Sequence, residues 1–412
     1  MPRVQRTPRS SVLGSADVDR GCRALALAVL FAIAGTMVGC GDDTTPPEAQ
    51  IKRILVGKWQ ANYAGQPGGL TAAVITPRGE YVVSTIEGVG PGSHFRGAST
   101  TKTFTAASIM LLEQRGRLNV DDLITANIPG TTTPYVPATP AYAIPYKSQI
   151  TIRQLLGHRA GVFDVGNVDI PKSVNAPYAG QRYVDWATAT YGPQHTFTIA
   201  ELVGVVAQNQ LVFTAPGQEF HYSNTGISIA AAIVEQVTGK SMAQFVHDEF
   251  LVPNGLTDTA FPDDGRVQDL PAPFVEGTTK ADGQYYPTTS RNVSWGVGEG
   301  NVVTTPADLA RWIRRLVKGQ AGVDAAHVAR MIDCQPTYEQ HVLYGLGIEC
   351  NPTALGAGHN GAITGYLTVA RHDPATDVTV VVFASLFDVD AFQAEGELLV
   401  ETAGEVRAVL GY

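Results

Sequence analysis

The chain has 412 residues, 44% hydrophobic and 16% charged, which is enough apolar material for a large folded core. Its formal net charge is -9 and its pI about 5.5. An acidic surface without a long basic run repels phosphate backbones, which argues against nucleic-acid binding.

Read in chain order, Arg3, Arg6, Arg9, Arg20 and Arg23 precede an apolar run from Ala24 to Val38. That run suits the core of an export signal better than the roughly twenty residues a spanning helix needs. It ends in Met37-Val38-Gly39-Cys40, which resembles a bacterial lipobox with Met37 in place of the usual Leu. The expectation is a lipoprotein-type signal peptide over 1–39, lipidation of Cys40, and a polar tether over 40–50 (GDDTTPPEAQ after the cysteine). The protein is then exported to a bacterial cell envelope, periplasmic or at the cell surface, and anchored to a membrane through Cys40. Signal removal takes Cys22 and lipidation uses Cys40, leaving Cys334 and Cys350 in a compartment where disulfides persist, so these two are expected to pair.

From residue 51 the folded domain begins. Ile51 to Tyr63 has helical spacing, and Leu70 to Pro77 with Tyr81 to Ile86 reads as a strand pair around Pro77-Arg78-Gly79. Ser99 to Gly116 reads as a buried helix. Residues 126–148, with five prolines, and 161–194 read as loops. Helices are expected at 199–209, 225–238, 241–249 and 305–318, strands at 342–349, 366–372 and 378–385, and a closing helix at 391–410. Strands at both ends and helices between predict an α+β fold: one antiparallel sheet flanked by helices, with an inserted mainly helical lobe. The sheet lobe spans about 51–110 and 290–412, and the helical lobe about 111–289.

Three short segments carry chemistry. In Gly97-Ala98-Ser99-Thr100-Thr101-Lys102 a lysine stands one helical turn after a serine, on the same face, where a buried amine can act as base. On its own such a pair is more often an N-cap serine with a solvated lysine. In His221-Tyr222-Ser223-Asn224 a phenol can relay protons and an amide can hold both lysine and substrate; alone, the better reading is a turn ahead of a helix. In Gly358-His359-Asn360-Gly361-Ala362 a glycine in a strand lets another backbone or a ligand come close.

In this order the three segments resemble the active-site motifs of the serine β-lactamase and penicillin-binding protein family. Tyr-Ser-Asn and His-x-Gly point to its class C-like branch: soluble-type D-alanyl-D-alanine carboxypeptidases, class C β-lactamases and esterases of the same fold. The segments 150–161 (ITIRQLLGHRAG), 214–226 and 298–308 resemble the family's flanking motifs, and the likeness runs from about 68 to 409. The resemblance implies a β-lactamase/transpeptidase-like fold and an acyl-enzyme on Ser99. Lys102 and Tyr222 share proton transfer, the general base being either of them. Asn224 orients substrate and lysine, and His359 takes the lysine's place in the third motif. The backbone N–H groups of Ser99 and Ala362 form the oxyanion hole beside Gly361.

No metal or organic cofactor is implied. The substrate is a small molecule or a peptidoglycan peptide. The leading reading is a D-alanyl-D-alanine carboxypeptidase-like peptidase; the alternatives are a carboxylesterase of this fold or a class C-like β-lactamase. Asn360 and Ala362 depart from the family's hydroxyl residues. Glu349 stands where the carboxypeptidases place an arginine, and an acid there repels a substrate carboxylate. Arg371 substitutes for that arginine only if the fold brings it round. An α/β-hydrolase is disfavoured, since neither Gly97 to Thr101 nor Gly226 to Ala230 completes the nucleophile elbow.

Overall fold

The segment Val378–Ala384 (VTVVVFA) is apolar on both faces of a strand, so it has to be covered from both sides. The computed structural model, which describes residues 45–338, 342–351 and 355–412, shows how. The signal segment, Cys22, Cys40 and the first part of the tether lie outside the described residues.

The strands are β1 (Leu70–Thr76), β2 (Gly79–Ser84), β3 (Phe95–Ala98), β4 (Thr278–Ala281), β5 (Gln284–Pro287), β6 (Val302–Thr304), β7 (Gln335–Pro336), β8 (Leu343–Tyr344), β9 (Glu349–Asn351), β10 (Gly356–Ile363), β11 (Tyr366–Asp373), β12 (Val378–Ala384) and β13 (Leu386–Asp388). Eight of them form one sheet in the order β2-β1-β12-β11-β10-β9-β8-β7. All of its pairings are antiparallel, so early and late strands meet at β1 and β12. The strand period of two sends Val380, Val382 and Ala384 to one face and Val381 and Phe383 to the other.

The outer face is closed by the terminal helices Pro47–Tyr63 and Phe392–Val409, through Ile51, Leu55, Leu399, Ala403 and Val406. The inner face meets the helix Pro306–Val317 and the larger apolar core. There Trp312 stacks on Phe104 with ring centroids 3.8 Å apart, and its Nε1–H donates to Thr103 Oγ1 at 2.8 Å. The helix Thr101–Gln114 runs through the middle of this core, buried along Thr101 to Leu112. Beside it lie Ile199–Asn209 and Asn224–Thr238, the latter capped by Ser223 Oγ accepting from Gly226 N–H.

Several boundaries differ from expectation. The first helix begins at Pro47, inside the expected tether, because proline suits the first turn of a helix and Glu48 follows it there. The expected 161–194 loop contains the helix Tyr183–Tyr191. The expected helix 241–249 is an α-helical turn continuing through a π-helical turn, His247–Leu251, to Asn254. The hairpin β4–β5, counted with the helical lobe, extends a sheet with β13 at the other end of the chain. The short pair β3–β6 was not expected either. The expected strand 342–349 is a hairpin, β8 and β9. Its turn residue Gly347 has φ +61°, and an added Cβ would come 2.8 Å from the Lys102 carbonyl oxygen. That glycine lets the hairpin tip sit on the helix Thr101–Gln114. Cys334 and Cys350 are joined in a disulfide with Cα atoms 6.2 Å apart.

Candidate active site

Ser99 stands between β3 and the helix that begins at Thr101. The chain turns there through Ala98, whose φ of 50° is left-handed and costs about 1 kcal/mol for an alanine. Ser99 is left partly exposed while Lys102, one turn on, is fully buried. Lys102 Nζ lies 3.0 Å from Ser99 Oγ, and the Tyr222 hydroxyl reaches the same oxygen at 3.0 Å. The Lys102 amine also sits 4.8 Å from the centre of the Tyr222 ring. Gly361 of β10 crosses directly over β3: an added Cβ would fall 2.3 Å from the Gly97 carbonyl oxygen. Only a glycine permits that approach, and the residue after it, Ala362, is exposed. The structure therefore gathers Ser99, Lys102 and Tyr222, with Gly361 packed on the strand that leads to Ser99 and Ala362 following it on β10.

Asn224 belongs to the cluster but not in the expected way. Its backbone N–H donates to Asp164 Oδ2 at 3.0 Å. Its side-chain Oδ1 is buried without a hydrogen-bond partner among the described residues, and the contacts of Lys102 go elsewhere. They are Ser99 Oγ, the Glu299 carbonyl oxygen at 2.8 Å and Glu299 Oε2 at 3.4 Å. Glu299, rather than the asparagine, is the lysine's hydrogen-bonding neighbour.

His359 anchors a buried chain of hydrogen bonds. Ser223 N–H donates to His158 Nδ1 at 3.1 Å, so a neutral His158 carries its proton on Nε2, 3.1 Å from the Tyr344 oxygen. The Tyr344 hydroxyl then donates to His359 Nε2 at 2.8 Å. His359 is left with its proton on Nδ1, facing the Asn360 carbonyl and, at 3.5 Å, Glu349 Oε1. Burial pushes His158 well below its ordinary value and His359 down to about 4, so both rings are neutral near pH 7. His359 is not a cation standing in for lysine.

Register brings Arg371 round. Glu349, Gly358 and Arg371 sit opposite one another on β9, β10 and β11, and with no side chain on Gly358 the outer two meet. Arg371 Nη2 lies 2.5 Å from Glu349 Oε2, which also accepts the Asn360 N–H at 3.3 Å. Burial opposes the charge on Glu349, and His359 and Arg371 outweigh it, holding the carboxyl below its ordinary value. The expected repulsive acid is thus paired, and Arg371, the candidate substitute for the carboxypeptidases' arginine, is closed on it.

The geometry suits acyl transfer. Burial lowers Lys102 toward the neutral amine and raises Tyr222 well above its ordinary value, keeping the phenol protonated. Lys102 can take the Ser99 proton as the serine oxygen bonds to an acyl carbon, and Tyr222 can hand a proton to the departing group. A groove of about 650 Å³, lined in part by Arg159, Phe213, Phe220, His221 and Tyr338, opens beside Tyr222. Among the described residues no group of three or more His, Cys, Asp or Glu is placed to hold a metal ion, and no helix is long and apolar enough to cross a membrane.

Sequence reading missed Glu299, Asp164 and Tyr344. Glu299 lay inside the segment 298–308, but nothing in the chain announces that residue 299 faces residue 102.

A D-stereospecific amidohydrolase from Streptomyces sp. superposes with a TM-score of 0.70 at 23% identity, covering 87% of this chain and 98% of that one. The D-amino acid amidase of Ochrobactrum anthropi SV3 gives 0.70 at 21%, covering 88% and 99%. In sequence, protein flp of Staphylococcus aureus (strain COL) is 26% identical over 233 residues, 54% of this chain and 39% of that protein. The chain spans well under half the length of the curated relatives it matches. The profile of the Beta-lactamase family matches residues 60–403, most of the sequence and all three motifs, and the chain belongs to that family.

Proposed function

We propose that the protein hydrolyses an amide or ester bond of a small D-configured acyl donor through an acyl-enzyme on Ser99, and that its leaving group bears no carboxylate. The contact of Ser99 Oγ with both Lys102 and Tyr222 supports the acyl-enzyme. The observation that carries the finer reading is the closed Glu349–Arg371 pair beside a neutral His359. It leaves neither Arg371 nor His359 as a free cation for a terminal carboxylate. Two structural neighbours act on D-configured amides by name, and that substrate class is carried over here as part of the proposal.

A carboxypeptidase-like peptidase is the second reading, favoured by Arg159 in the groove beside Tyr222. Purified protein incubated with D-phenylalanine amide, a p-nitrophenyl ester and an acyl-D-alanyl-D-alanine separates the two. Turnover of the amide at least tenfold above the dipeptide, abolished by Ser99→Ala, is the expected result. The reverse preference overturns it. Penicillin followed by intact mass completes the comparison: rapid turnover marks a β-lactamase, and a persistent adduct the peptidase. The same proposal holds the protein in the cell envelope by lipid on Cys40; Cys40→Ala should then release it from the membrane fraction.

A further inference from the structure

Lys102 as an ammonium has three hydrogens to donate, and three acceptors surround its Nζ: Ser99 Oγ, the Glu299 carbonyl oxygen and Glu299 Oε2. The side chain of Lys102 is 0% exposed and that of Glu299 3%. Burying a carboxyl this deeply is costly unless it has a partner, and acyl transfer as derived above gives it no role. The backbone carbonyl of residue 299 would serve Lys102 whatever the side chain. The carboxylate is therefore an addition that changes the charge at the base.

The other ionisable groups around it are few. Asp164, on the loop after His158, acts on both Lys102 and Glu299 and accepts the N–H groups of Gly166, Asn167 and Asn224. Tyr222 lies over Lys102 from the segment before Ser223, and its phenol feels both Glu299 and Asp164. Glu349, already paired with Arg371, acts on Lys102 from β9. His158 and His359 are neutral.

We propose that Glu299 is the counter-charge of the catalytic lysine: as a carboxylate it stabilises the ammonium that forms when Lys102 takes the Ser99 proton. The step balances within the site. The Ser99 O–H bond breaks, its proton goes to the Lys102 lone pair, and the Ser99 oxygen bonds to the acyl carbon. The leaving group then departs with a proton relayed from Lys102 through Tyr222. The hydrogen bonds of Glu299 to this site go to Lys102 and not to Ser99, so it is a positioning residue that acts through Lys102. Burial pushes its carboxyl up to about 7, against the pull of Lys102, so the carboxylate forms only near neutrality. Acylation should therefore rise with pH through that range.

This inference rests on Ser99 being the acylated residue, and one experiment separates the two. The pH dependence of kcat/KM for p-nitrophenyl acetate is measured for the wild type, Ser99→Ala, Glu299→Gln and Glu299→Asp, with a thermal melt for each. The wild type should show an ionisation near pH 7. Glu299→Gln should lose that limb and about tenfold or more of its plateau rate. Glu299→Asp, which keeps the charge, should keep a limb. A wild type no faster than Ser99→Ala overturns the serine reading itself. With the wild type active, a Glu299→Gln profile with an unmoved limb, whatever its rate, overturns the counter-charge. So does a wild type without an ionisation between about pH 6 and 8, which decides the matter even if Glu299→Gln does not fold.

Discussion

On the outer face of the sheet, Leu70, Ala72, Val74, Val380 and Val382 meet Ile51, Leu55 and Leu399 with hydrocarbon on both sides. Around the near end of β10, the inner region buries Lys102, Asp164, His158, His359, Glu299, Glu349 and Arg371 within one neighbourhood. Apolar packing tolerates small displacements, because dispersion is non-directional. A buried polar network tolerates few, because each donor needs its acceptor at the right angle and distance. The outer face accordingly supplies stability, and the inner region spends part of it on holding charges where acyl transfer needs them. The resting positions of His158, Tyr344 and His359 follow from directional bonds rather than from shape.

The largest expected effect that tests this contrast is Leu399→Ala. It removes a side chain that is 1% exposed on the outer face and should cost about 2–5 kcal/mol in chemical denaturation. The kcat of the folded fraction should stay within twofold; a larger drop would mean that the two regions are mechanically coupled. Tyr344→Phe should behave in the opposite way. It leaves His158 Nε2 and His359 Nε2 without their shared partner, a loss of about 1–3 kcal/mol, and should lower kcat/KM about tenfold by freeing Tyr222 and β10 to shift. Unchanged kinetics would reduce the chain of bonds to a structural ornament.

The pH dependence of stability comes next. His359 and His372 titrate at about 4 in the folded protein, against 6.5 when unfolded, because burial disfavours their charged forms. Between those values the unfolded chain binds the extra protons, so their contribution is complete above pH 6.5 and is lost as pH falls toward 4. His372→Gln, which leaves the catalytic cluster intact, should remove a slope of about 1.4 kcal/mol per pH unit in that window, read from melts at pH 7 and 5. An unaltered slope would show that His372 charges without penalty. The smallest effect is expected at the surface: Arg115→Ala breaks its bidentate pair with Glu249 and should cost less than about 1 kcal/mol. A greater loss would show that the helical lobe leans on surface charge.

Much of the fold was legible because its signals are local. The apolar runs of β1 and β12 state their own burial, and the helices from Ile199 and Asn224 carry their caps in Thr198 and Ser223. The strands that escaped are short. β3 and β6 have four and three residues, and a segment that brief has no period to read. The split between β8 and β9 escaped because Gly345 and Gly347 look like strand glycines until Met331 against the first and the Lys102 carbonyl against the second are seen.

The candidate site divides along the same line. Ser99, Lys102, Tyr222, Asn224, His359 and Gly361 follow from motifs, because the spacing of a helix turn or a strand sets which side chains share a face. Their family and general chemistry come with them. Tertiary structure alone decided that Glu299 rather than Asn224 lies against Lys102, that His359 is neutral, and that Arg371 closes on Glu349 across Gly358. The reason is physical: charge states and ion pairs depend on burial and on contacts between residues 22 to 197 positions apart, which no local pattern in the chain encodes.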